Sequence, residues 1–472
     1  MYNKQEIDQY DKEYYRDKIS TVDSAGKRVW IYPKKPKGTF YSARTIVAIF
    51  LLALLFAGPF ITINGHPFLL LDFLGRKFYI FGIVFWPQDL YLFGIALIAI
   101  VVFIVLFTSV FGRLFCGWIC PQTIFMELIF RKIEYWIEGG PVKQKNLNAA
   151  HWNWEKIYKK GFKSITFFVI AFVIGNTLLA YIIGKDELFK IISEPISDHI
   201  GGFTAMMIFT LLFFANFMFF REQACTLVCP YGRLQSVLLD ENSIVVHYDF
   251  IRGEPRGKGK RTRTSKLGDC IDCHQCVDVC PTGIDIRNGT QLECVNCTAC
   301  IDSCNTIMDK VQQPRGLIRY DSYNNITGGK KSIFNPRVIG YTAVLILLLS
   351  VLSLLLASRK PIETTIFRTP GTLYQEIIED YITNMYNIKV INKSYEKREI
   401  NLRLVAPSAG VIRLVNKLSL EKNDFNKSVF FIDIPKKYIS STRIPITIEV
   451  FSDRDVIETY KTVFMAPLIQ SE

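Results

Sequence analysis

Five long apolar runs dominate the hydrophobic pattern of this 472-residue chain. Each is nearly free of charged residues and close in length to the roughly 20-residue helix that crosses the hydrocarbon core of a bilayer. Five buried core helices of this kind are a poor alternative for one chain, so the pattern predicts five transmembrane helices. The runs extend from about Thr45 to Ile63, Asp89 to Val110, Ile165 to Ile183, Phe203 to Phe220 and Val338 to Ala357.

The pattern changes after the fifth run, where apolar and polar residues alternate in short stretches. Alternation with a period of two is typical of β-strands. About seven strands in roughly 110 residues predict an immunoglobulin-like sandwich. Residues 359–472 contain no cysteine, so the domain lacks the disulfide of antibody domains, and we expect it to dock a partner rather than to catalyse a reaction. The stretches are Ile388–Ile391, Ile400–Val405, Val411–Leu414, Val429–Ile434, Ile444–Val450 and Ile457–Val463.

The distribution of Lys and Arg predicts the orientation of the helices. Ten of these residues precede the first run and sixteen lie between Arg221 and Arg337, but only two separate the first run from the second and two the third from the fourth. Because basic loops stay on the cytoplasmic side, we expect the N-terminus inside and the C-terminus outside. This bias supplies much of the net charge of +13. The basic segment Arg252–Lys266 is expected to lie beside anionic lipid, and we predict no nucleic-acid partner.

Eight of the twelve cysteines form two runs with the spacing C-x2-C-x2-C-x3-C. This spacing is typical of proteins with two [4Fe–4S] clusters, in which the fourth cysteine of each run binds the other cluster. Zinc sites also use C-x2-C pairs, but they do not need a third cysteine at the same spacing. We expect His274 to tune a cluster by hydrogen bonding. The predicted ligands are Cys270, Cys273, Cys276 and Cys304 for one cluster, and Cys294, Cys297, Cys300 and Cys280 for the other.

The other four cysteines form two C-x3-C-P motifs, Cys116 with Cys120 and Cys225 with Cys229. Each motif follows the second helix of a pair, which indicates an internal duplication. Residues i and i+4 of a helix share a face, so the four thiols can converge on one site. Soft thiolates select Cu(I), but dithiol–disulfide chemistry, a third iron–sulfur cluster and ordinary buried thiols remain open. The segment from Pro121 to Glu138 is predicted to be an amphipathic helix along the inner membrane surface.

These features predict a multidomain membrane protein with a cytoplasmic two-cluster ferredoxin-like insert and a C-terminal immunoglobulin-like sandwich. The N-terminal arm is expected to be loosely ordered and cytoplasmic. The predicted domains are the arm (1–43), a four-helix membrane domain with both C-x3-C-P motifs (44–230), the ferredoxin-like domain (231–337), the fifth helix (338–357) and the periplasmic sandwich (358–472).

The ordered set of motifs resembles the FixG/RdxA/CcoG family of cytochrome c oxidase accessory proteins, and the resemblance covers nearly the whole chain past the N-terminal arm. The cluster spacing alone is shared by many ferredoxins, whereas its combination with two C-x3-C-P motifs and a C-terminal sandwich is far more specific. The segments that carry it are LLLDFLGRKFYIFGIVFWPQDLYLF, GRLFCGWICPQTIFMELIF, IEYWIEG, ACTLVCPYGRLQSVLLDENSIVV, CIDCHQCVDVCPTGIDIRNGTQLECVNCTACIDSC and NMYNIKVINKS.

The resemblance implies a role in assembling the cbb-type oxidase in the bacterial inner membrane. It further implies a cupric reductase activity, the reduction of Cu(II) to Cu(I) before insertion. Its implied partners are the oxidase or its assembly factors, a copper chaperone or transporter, and the lipid bilayer. In this reading two [4Fe–4S] clusters deliver single electrons, and copper binds Cys116, Cys120, Cys225 and Cys229.

Two other functions remain open from the sequence. A quinol-linked membrane subunit of a respiratory reductase also joins C-x3-C-P helices to a two-cluster segment, and it predicts cluster reduction by quinol. A non-catalytic, redox-sensing assembly scaffold predicts that the protein binds the oxidase without turning over copper.

Overall fold

The computed structural model describes residues 20–467, apart from residues 23–24, 64, 74, 259–266, 329–334, 372, 377–379, 395, 423 and 453–454. Most of the predicted basic segment near residue 260 and the first 19 residues of the arm therefore lie outside the described residues. Five helical segments are long and apolar enough to cross a membrane, which confirms the five predicted helices. They are Thr39–Phe60, Pro87–Phe111, Trp154–Ile183, Ile200–Phe220 and Pro336–Ala357.

The chain divides into two compact units. Unit 1 comprises Met1–Thr62, Pro67–Arg76 and Tyr91–Leu352, and unit 2 comprises Ile63–His66, Lys77–Leu90 and Ser353–Glu472. The α-helices are α1 (Thr39–Ala57), α2 (Leu90–Phe111), α3 (Leu114–Trp118), α4 (Pro121–Ile124), α5 (Arg131–Ile137), α6 (Pro141–Ala149), α7 (Trp154–Ile183), α8 (Lys185–Ser193), α9 (Ile200–Ala215), α10 (Pro230–Leu238), α11 (Phe250–Gly253), α12 (Gln275–Asp278), α13 (Ala299–Lys310), α14 (Tyr323–Ile326) and α15 (Pro336–Ala357).

Three π-helical stretches and four short 3-10 turns interrupt or extend these helices. The π-helical stretches are Phe125–Phe130, Asn216–Phe220 and Ala224–Val228, and the 3-10 turns are Gly58–Phe60, Pro87–Asp89, Ile286–Asn288 and Lys436–Tyr438. The strands before the sandwich are β1 (Thr62–Ile63), β2 (His66–Pro67), β3 (Leu69–Asp72), β4 (Lys77–Ile80), β5 (Ile83–Phe85), β6 (Val245–Tyr248) and β7 (Ile318–Asp321).

The third membrane helix begins eleven residues before the apolar run that predicts it. The side chain of Asn153 accepts a hydrogen bond from the Lys156 peptide at 2.8 Å and caps the first turn of α7. The helix is 30 residues long, and its first part is rich in lysine. The cap rather than the hydropathy therefore sets the start of the helix.

Aromatic rings form the core between the membrane helices of unit 1. The ring of Phe130 lies 4.7 Å from that of Phe167 and stacks at 4.5 Å on that of Phe217. Phe130 lies in the predicted amphipathic segment, which the structure divides into α4, a π-helical stretch and α5. The segment buries polar residues as well, including Arg131 and Glu134. It is thus packed within unit 1 with charged as well as apolar side chains buried, and its location along the inner membrane surface stays a prediction.

The described part of the N-terminal arm is bonded to the cysteine-rich insert rather than loosely ordered. The Lys34 peptide donates to the Asp278 carbonyl at 2.7 Å, and the Lys34 ammonium pairs with the Asp278 carboxylate at the same distance. Nearer the membrane, both Phe40 and Tyr41 donate their peptide N–H groups to Asp302 of α13. The arm therefore ties the insert to the start of α1.

Strands β6 and β7 pair antiparallel on the two sides of the cysteine runs in sequence, from Val245 opposite Asp321 to Tyr248 opposite Ile318. Their buried residues pack with Cys270, Cys276 and Met308. The pairing of β6 with β7 brings together the chain before and after the cysteine runs, so both ends of the insert are fixed.

Unit 2 contains a sandwich of two four-stranded antiparallel sheets, ordered β12-β10-β14-β15 and β11-β13-β9-β8. Tyr386 stacks on Phe430 in a core that both sheets fill. The predicted immunoglobulin-like sandwich is confirmed, and all six predicted stretches lie in its strands. The sequence analysis missed β8 and the short β12. The strands are β8 (Ile362–Arg368), β9 (Tyr381–Asn392), β10 (Arg398–Ala406), β11 (Val411–Leu414), β12 (Leu418–Leu420), β13 (Phe425–Pro435), β14 (Arg443–Ser452) and β15 (Asp455–Met465).

The β4–β5 hairpin packs on the sandwich within unit 2. Val84 and Trp86 form a buried cluster with Ile391 of β9. Beside them the Asp89 carboxylate, 2% exposed, pairs with Lys393 at 2.6 Å and with Arg359 at 2.7 Å. The buried Asp89 carboxylate thus connects the hairpin to Arg359, which precedes β8, and to Lys393, which follows β9.

Replacing Asp89 by alanine should destabilise unit 2 by about 3 kcal/mol, because it leaves Arg359 without its counter-charge and leaves buried Lys393 with Glu363 as its remaining acidic partner. Denaturant unfolding of the full-length protein in detergent micelles measures this. The control is Glu421→Ala, which removes an exposed partner of Lys397 and should cost less than about 1 kcal/mol. Equal effects of the two substitutions would show that the Asp89 pairs contribute no more than a surface pair.

Candidate redox centre

The first predicted set of cysteines surrounds a cavity in the insert. Its protein-free volume is about 350 Å³. Apolar side chains such as Met308 and Leu317 form much of the rest of the wall, to which His274 and Arg287 also contribute. The sulfur-bearing residues of the wall are Cys270, Cys273, Cys276 and Cys304.

A second cavity of about 350 Å³ lies beside the first and has a similar wall. Cys276 contributes to both cavities. The first cavity therefore combines three cysteines of the first run with the last cysteine of the second, and the second cavity combines three cysteines of the second run with the last cysteine of the first and with Cys276. The assignment of individual cysteines to clusters stays a prediction. The remaining cysteines that line the second cavity are Cys280, Cys294, Cys297 and Cys300.

The two cysteine loops share an unusual backbone conformation. Asp272 and His274 in the first loop have φ near +54°, with values of 53° and 55°, and Asn296 and Thr298 in the second have 54° and 66°. The positions are equivalent in the two runs. Asp272 and Asn296 lie two residues after the first cysteine of their run, and His274 and Thr298 lie one residue after the second. Left-handed residues within a tight loop form anion-binding concavities of peptide N–H groups, as in many iron–sulfur sites. Asp272 and Asn296 occupy equivalent positions in the two loops, and both residue types tolerate this conformation. They were the signal in the sequence that could have predicted it.

The cysteine thiols of both sets are strongly affected by burial. Burial raises the pKa of Cys276, Cys294 and Cys304 to about 12 and that of Cys297 to about 11. At neutral pH these sulfurs keep their protons unless a cation displaces them. Half-buried and buried cysteines around a cavity thus fit an iron–sulfur cluster, which requires four thiolates.

Paired charges surround the first set. Arg287 is buried and bonds the carboxylates of Asp272 and Asp285, each at 2.6 Å. Its guanidinium also lies 2.9 Å from Nδ1 of His274. His274 therefore contacts the charged Arg287, and both residues line the first cavity.

The C-x3-C-P cysteines lie at the ends of short helices that follow α2 and α9. Cys120 and Cys229 are the residues immediately before α4 and α10, and Pro121 and Pro230 occupy the first position of those helices. Proline suits this position because its fixed φ matches the helix and the missing N–H has no partner within the first turn. Cys116 lies in α3 and Cys225 in the π-helical stretch Ala224–Val228.

The structure brings the four cysteines of these motifs together. Burial, together with the nearby sulfurs of Cys120, Cys116 and Cys229, raises the pKa of Cys225 to about 12. Burial also raises the pKa of Cys116, and Cys120 and Cys229 act on it in the same direction. Among the described residues no group of three or more His, Cys, Asp or Glu side chains is arranged to hold a single metal ion.

Both motifs contact the loops of the second cysteine set. Cys116 packs in a buried cluster with Val279, Val295 and Cys297. A Cβ atom on Gly117 would lie 2.4 Å from the carbonyl oxygen of Val295, so only glycine permits this approach. The second motif reaches the same place, because Cys225 lines a 340 Å³ cavity together with Pro281, Thr282 and Val295.

A hydrogen-bonded network holds Cys116 in place. Its sulfur donates to Oε1 of Gln235 at 3.0 Å, and Nε of Arg113 donates to the same oxygen at 3.2 Å. Arg113 also donates to the Leu292 carbonyl, two residues before Cys294. The network links both motifs to the second cysteine loop, and the sequence analysis did not identify Gln235 or Arg113.

A network of buried ion pairs lies behind Cys225. Glu134 bonds Arg221 at 2.7 Å and Lys163 at 2.8 Å. Arg131 pairs with Glu127 and, at 3.5 Å, with Glu222. Charged residues flanking apolar runs were the only sequence signal, and they predicted a polar surface instead of this buried network.

Glutamine at Glu134 should remove an acid-dependent part of the stability. Burial raises the pKa of Glu134, but Arg221 and Lys163 outweigh burial and lower it to about 2. The carboxylate therefore contributes stability above its unfolded pKa of about 4.5, and the contribution disappears as the pH falls through about 2. In denaturant unfolding at several pH values, the difference between wild type and Glu134→Gln should shrink from pH 6 to pH 2. A constant difference would contradict the assignment, and exposed Glu155→Gln is the control.

Three family models match the chain. A 4Fe-4S dicluster domain matches residues 220–323, and the IG-like fold at the C-terminal of FixG matches residues 352–467. A further 4Fe-4S binding domain matches residues 93–139, which include Cys116 and Cys120. The ferredoxin-like insert and the sandwich are thereby confirmed.

Several curated relatives match along most of their length. Protein RdxA of Cereibacter sphaeroides is 34% identical over 399 residues, covering 81% of this chain and 84% of the relative. Protein RdxB of the same organism is 33% identical over 396 residues, covering 80% and 83%. The nitrogen fixation protein FixG of Rhizobium meliloti is 29% identical over 464 residues, or 87% of each chain. The resemblance read from the motifs is confirmed, and the chain belongs to the FixG/RdxA family of membrane iron–sulfur proteins.

Proposed function

We propose that this protein reduces Cu(II) to Cu(I) at the four cysteines of the C-x3-C-P motifs, for use in assembling a cbb-type oxidase. The observation that carries the proposal is the convergence of both motifs beside the second cysteine set. Each Cu(II) ion takes up one electron, which comes from a cytoplasmic reductant. The proposed copper ligands are Cys116, Cys120, Cys225 and Cys229.

The protein's own side chains favour the reduced product. Thiolates are soft ligands that select Cu(I). Cys116 and Gln235 are buried, which shields the Cys116 side of the site from water, whereas Cys120, Cys225 and Cys229 are half-buried. Because burial raises the pKa of Cys116 and Cys225, binding of Cu(I) displaces their protons. Before copper binds, Oε1 of Gln235 orients the Cys116 thiol by accepting its hydrogen bond.

We assign one [4Fe–4S] cluster to each cysteine set of the insert. When bound, the clusters supply one-electron redox chemistry, which suits the reduction of Cu(II). The assigned ligands are Cys270, Cys273, Cys276 and Cys304 for the first set, and Cys280, Cys294, Cys297 and Cys300 for the second.

We place the protein in the bacterial inner membrane on the strength of its family, and the Lys and Arg distribution supports its orientation there. In this arrangement the arm and the insert face the cytoplasm, and the sandwich faces the periplasm. The proposed partners are the cbb-type oxidase or its assembly factors, and a copper chaperone or transporter. The sandwich is the proposed docking domain for the oxidase.

A third [4Fe–4S] cluster at the C-x3-C-P cysteines is the second candidate. The observation that favours it is the match of residues 93–139 to a 4Fe-4S binding domain, because that range contains neither cysteine run of the insert. Four converging thiols supply the ligand number that such a cluster requires.

Anaerobic metal analysis of the purified full-length protein separates the two candidates. The copper proposal predicts about eight iron atoms per chain, and Cu(I) binding that is lost when all four motif cysteines are serine. About twelve iron atoms, falling to about eight in the same variant, would overturn the copper site in favour of a third cluster.

A further inference from the structure

Two buried arginines beside the second cysteine set lack acidic partners. Arg44 in α1 is 2% exposed, and Arg113 between α2 and α3 is 4% exposed. Within the described ranges of the chain, neither forms an ion pair with a carboxylate. Buried Arg131 and Arg221, by contrast, each pair with glutamates.

Arg44 points at the first C-x3-C-P motif. Its Nε donates to the carbonyl of Gly117 at 2.6 Å, and Gly117 is the residue that meets the Val295 carbonyl of the second cysteine loop. Nη2 of Arg44 is buried and finds no hydrogen-bond partner among the described residues. The guanidinium thus retains an unused donor beside the loop.

Arg113 reaches the same loop from the other side. It donates to Leu292, just before Cys294, and to Gln235. Its Nη2 lies 3.0 Å from the position of a Cβ on Gly232, which follows the second motif. The two guanidiniums therefore flank the second cysteine set and the adjoining thiols.

The acidic residues of this region have other partners. Glu127 accepts a hydrogen bond from Arg131 at 2.5 Å. Glu293 accepts from the Ser20 peptide at 3.3 Å, and burial raises its pKa by more than nearby Arg113 lowers it, which favours the neutral acid. Neither carboxyl group supplies an ion pair for Arg44 or Arg113.

An unpaired buried guanidinium is costly unless a negative charge compensates for it. A cluster held by four thiolates supplies such a charge. The first set has no such excess of positive charge, because Arg287 is bonded to Asp272 and Asp285 and Arg252 to Asp269. The surroundings of the two sets thus differ in net charge, which is one determinant of cluster potential.

We propose that Arg44 and Arg113 are positioning residues that serve as counter-charges of the second cysteine set and give it a higher reduction potential than the first. This inference rests on the ligand assignment proposed above and is independent of copper. Each set takes up one electron in the titration below, supplied by dithionite.

An anaerobic redox titration of the purified full-length protein, followed by electron paramagnetic resonance, tests the inference. Wild type should titrate in two one-electron waves. Arg44→Gln and Arg113→Gln should each lower the reduced-to-oxidised ratio of the higher wave at least about tenfold at fixed potential, or about 59 mV, with iron content unchanged. The control Arg315→Gln removes a cation whose side chain is exposed and paired with Asp309, and it should move neither wave.

The charge-retaining variants Arg44→Lys and Arg113→Lys should keep the higher wave within the range of the control. An unmoved higher wave in both glutamine variants overturns the inference, and so does a shift confined to the lower wave. If the glutamine variants lose iron, the wild-type protein and the lysine variants still test the inference. A single wave for both sets in the wild-type protein would overturn it. Iron content well below about eight atoms in wild type would instead refute the ligand assignment.

Discussion

Serine at both Cys116 and Cys225 should abolish the formation of Cu(I) by the reduced protein while leaving its iron content unchanged. The substitution removes one soft ligand from each C-x3-C-P motif, and an alcohol is a far weaker ligand for Cu(I) than a thiolate. Both residues lie outside the two cavities of about 350 Å³ that the cysteine runs line, so the cavities keep their ligands. We expect the rate of Cu(I) formation to fall at least about tenfold.

The measurement is the rate at which a Cu(I) chelator develops colour under anaerobic conditions, with iron determined on the same samples. Thr226→Ser is the matched control, because Thr226 lies beside Cys225 and its hydroxyl bonds only the Glu222 carbonyl. Undiminished Cu(I) formation by the double variant would contradict the assignment of the copper site to these cysteines. Loss of about four iron atoms from it would instead favour a third cluster at these cysteines.

Single substitutions in the two cysteine runs should each remove about half of the iron. Cys273→Ser takes one ligand from the first cavity, and Cys297→Ser takes one from the second. A cluster that loses one of its four thiolates is weakly held, whereas the neighbouring cavity keeps all of its ligands. We therefore expect about four iron atoms to remain in each variant, with different spectra because different sets survive.

Iron analysis and electron paramagnetic resonance of the two purified variants check this expectation. Ser303→Ala is the control, because Ser303 lies between Cys300 and Cys304 but its hydroxyl bonds the Gln275 carbonyl at 3.4 Å. Full iron content in Cys273→Ser or Cys297→Ser would contradict the proposed ligands. Identical residual spectra would contradict the division into two sets.

The features that sequence predicted well depend on short-range patterns. Membrane helices, alternating strands and C-x2-C-x2-C-x3-C loops are each encoded within a few turns of chain, so periodicity and spacing reveal them. The strand β12 was missed because three residues carry too little alternation. The start of α7 was missed because the cap at Asn153 outweighs the hydropathy of the following residues.

The features that sequence missed depend on pairs that are far apart in the chain. Glu134 and Arg221 are separated by 87 residues and Asp89 and Lys393 by 304. From the sequence alone, each of these charged residues is expected to be exposed to solvent. Only the packing of the folded chain shows that they are buried in pairs. The same holds for Gly117, whose role against Val295 is invisible until the insert folds onto the first motif.

The most direct test of the central claim is an anaerobic titration of the dithionite-reduced, full-length protein with Cu(II). Iron–sulfur absorbance and a Cu(I) chelator are followed together, in wild type and in the variant with serine at all four C-x3-C-P cysteines. The account predicts that one Cu(I) forms per electron lost from the iron–sulfur absorbance in wild type, and that the variant is slower at least about tenfold. Equal rates in the two proteins would show that copper oxidises exposed clusters without a thiol site, and a quinol-linked or scaffolding role would then replace the reductase.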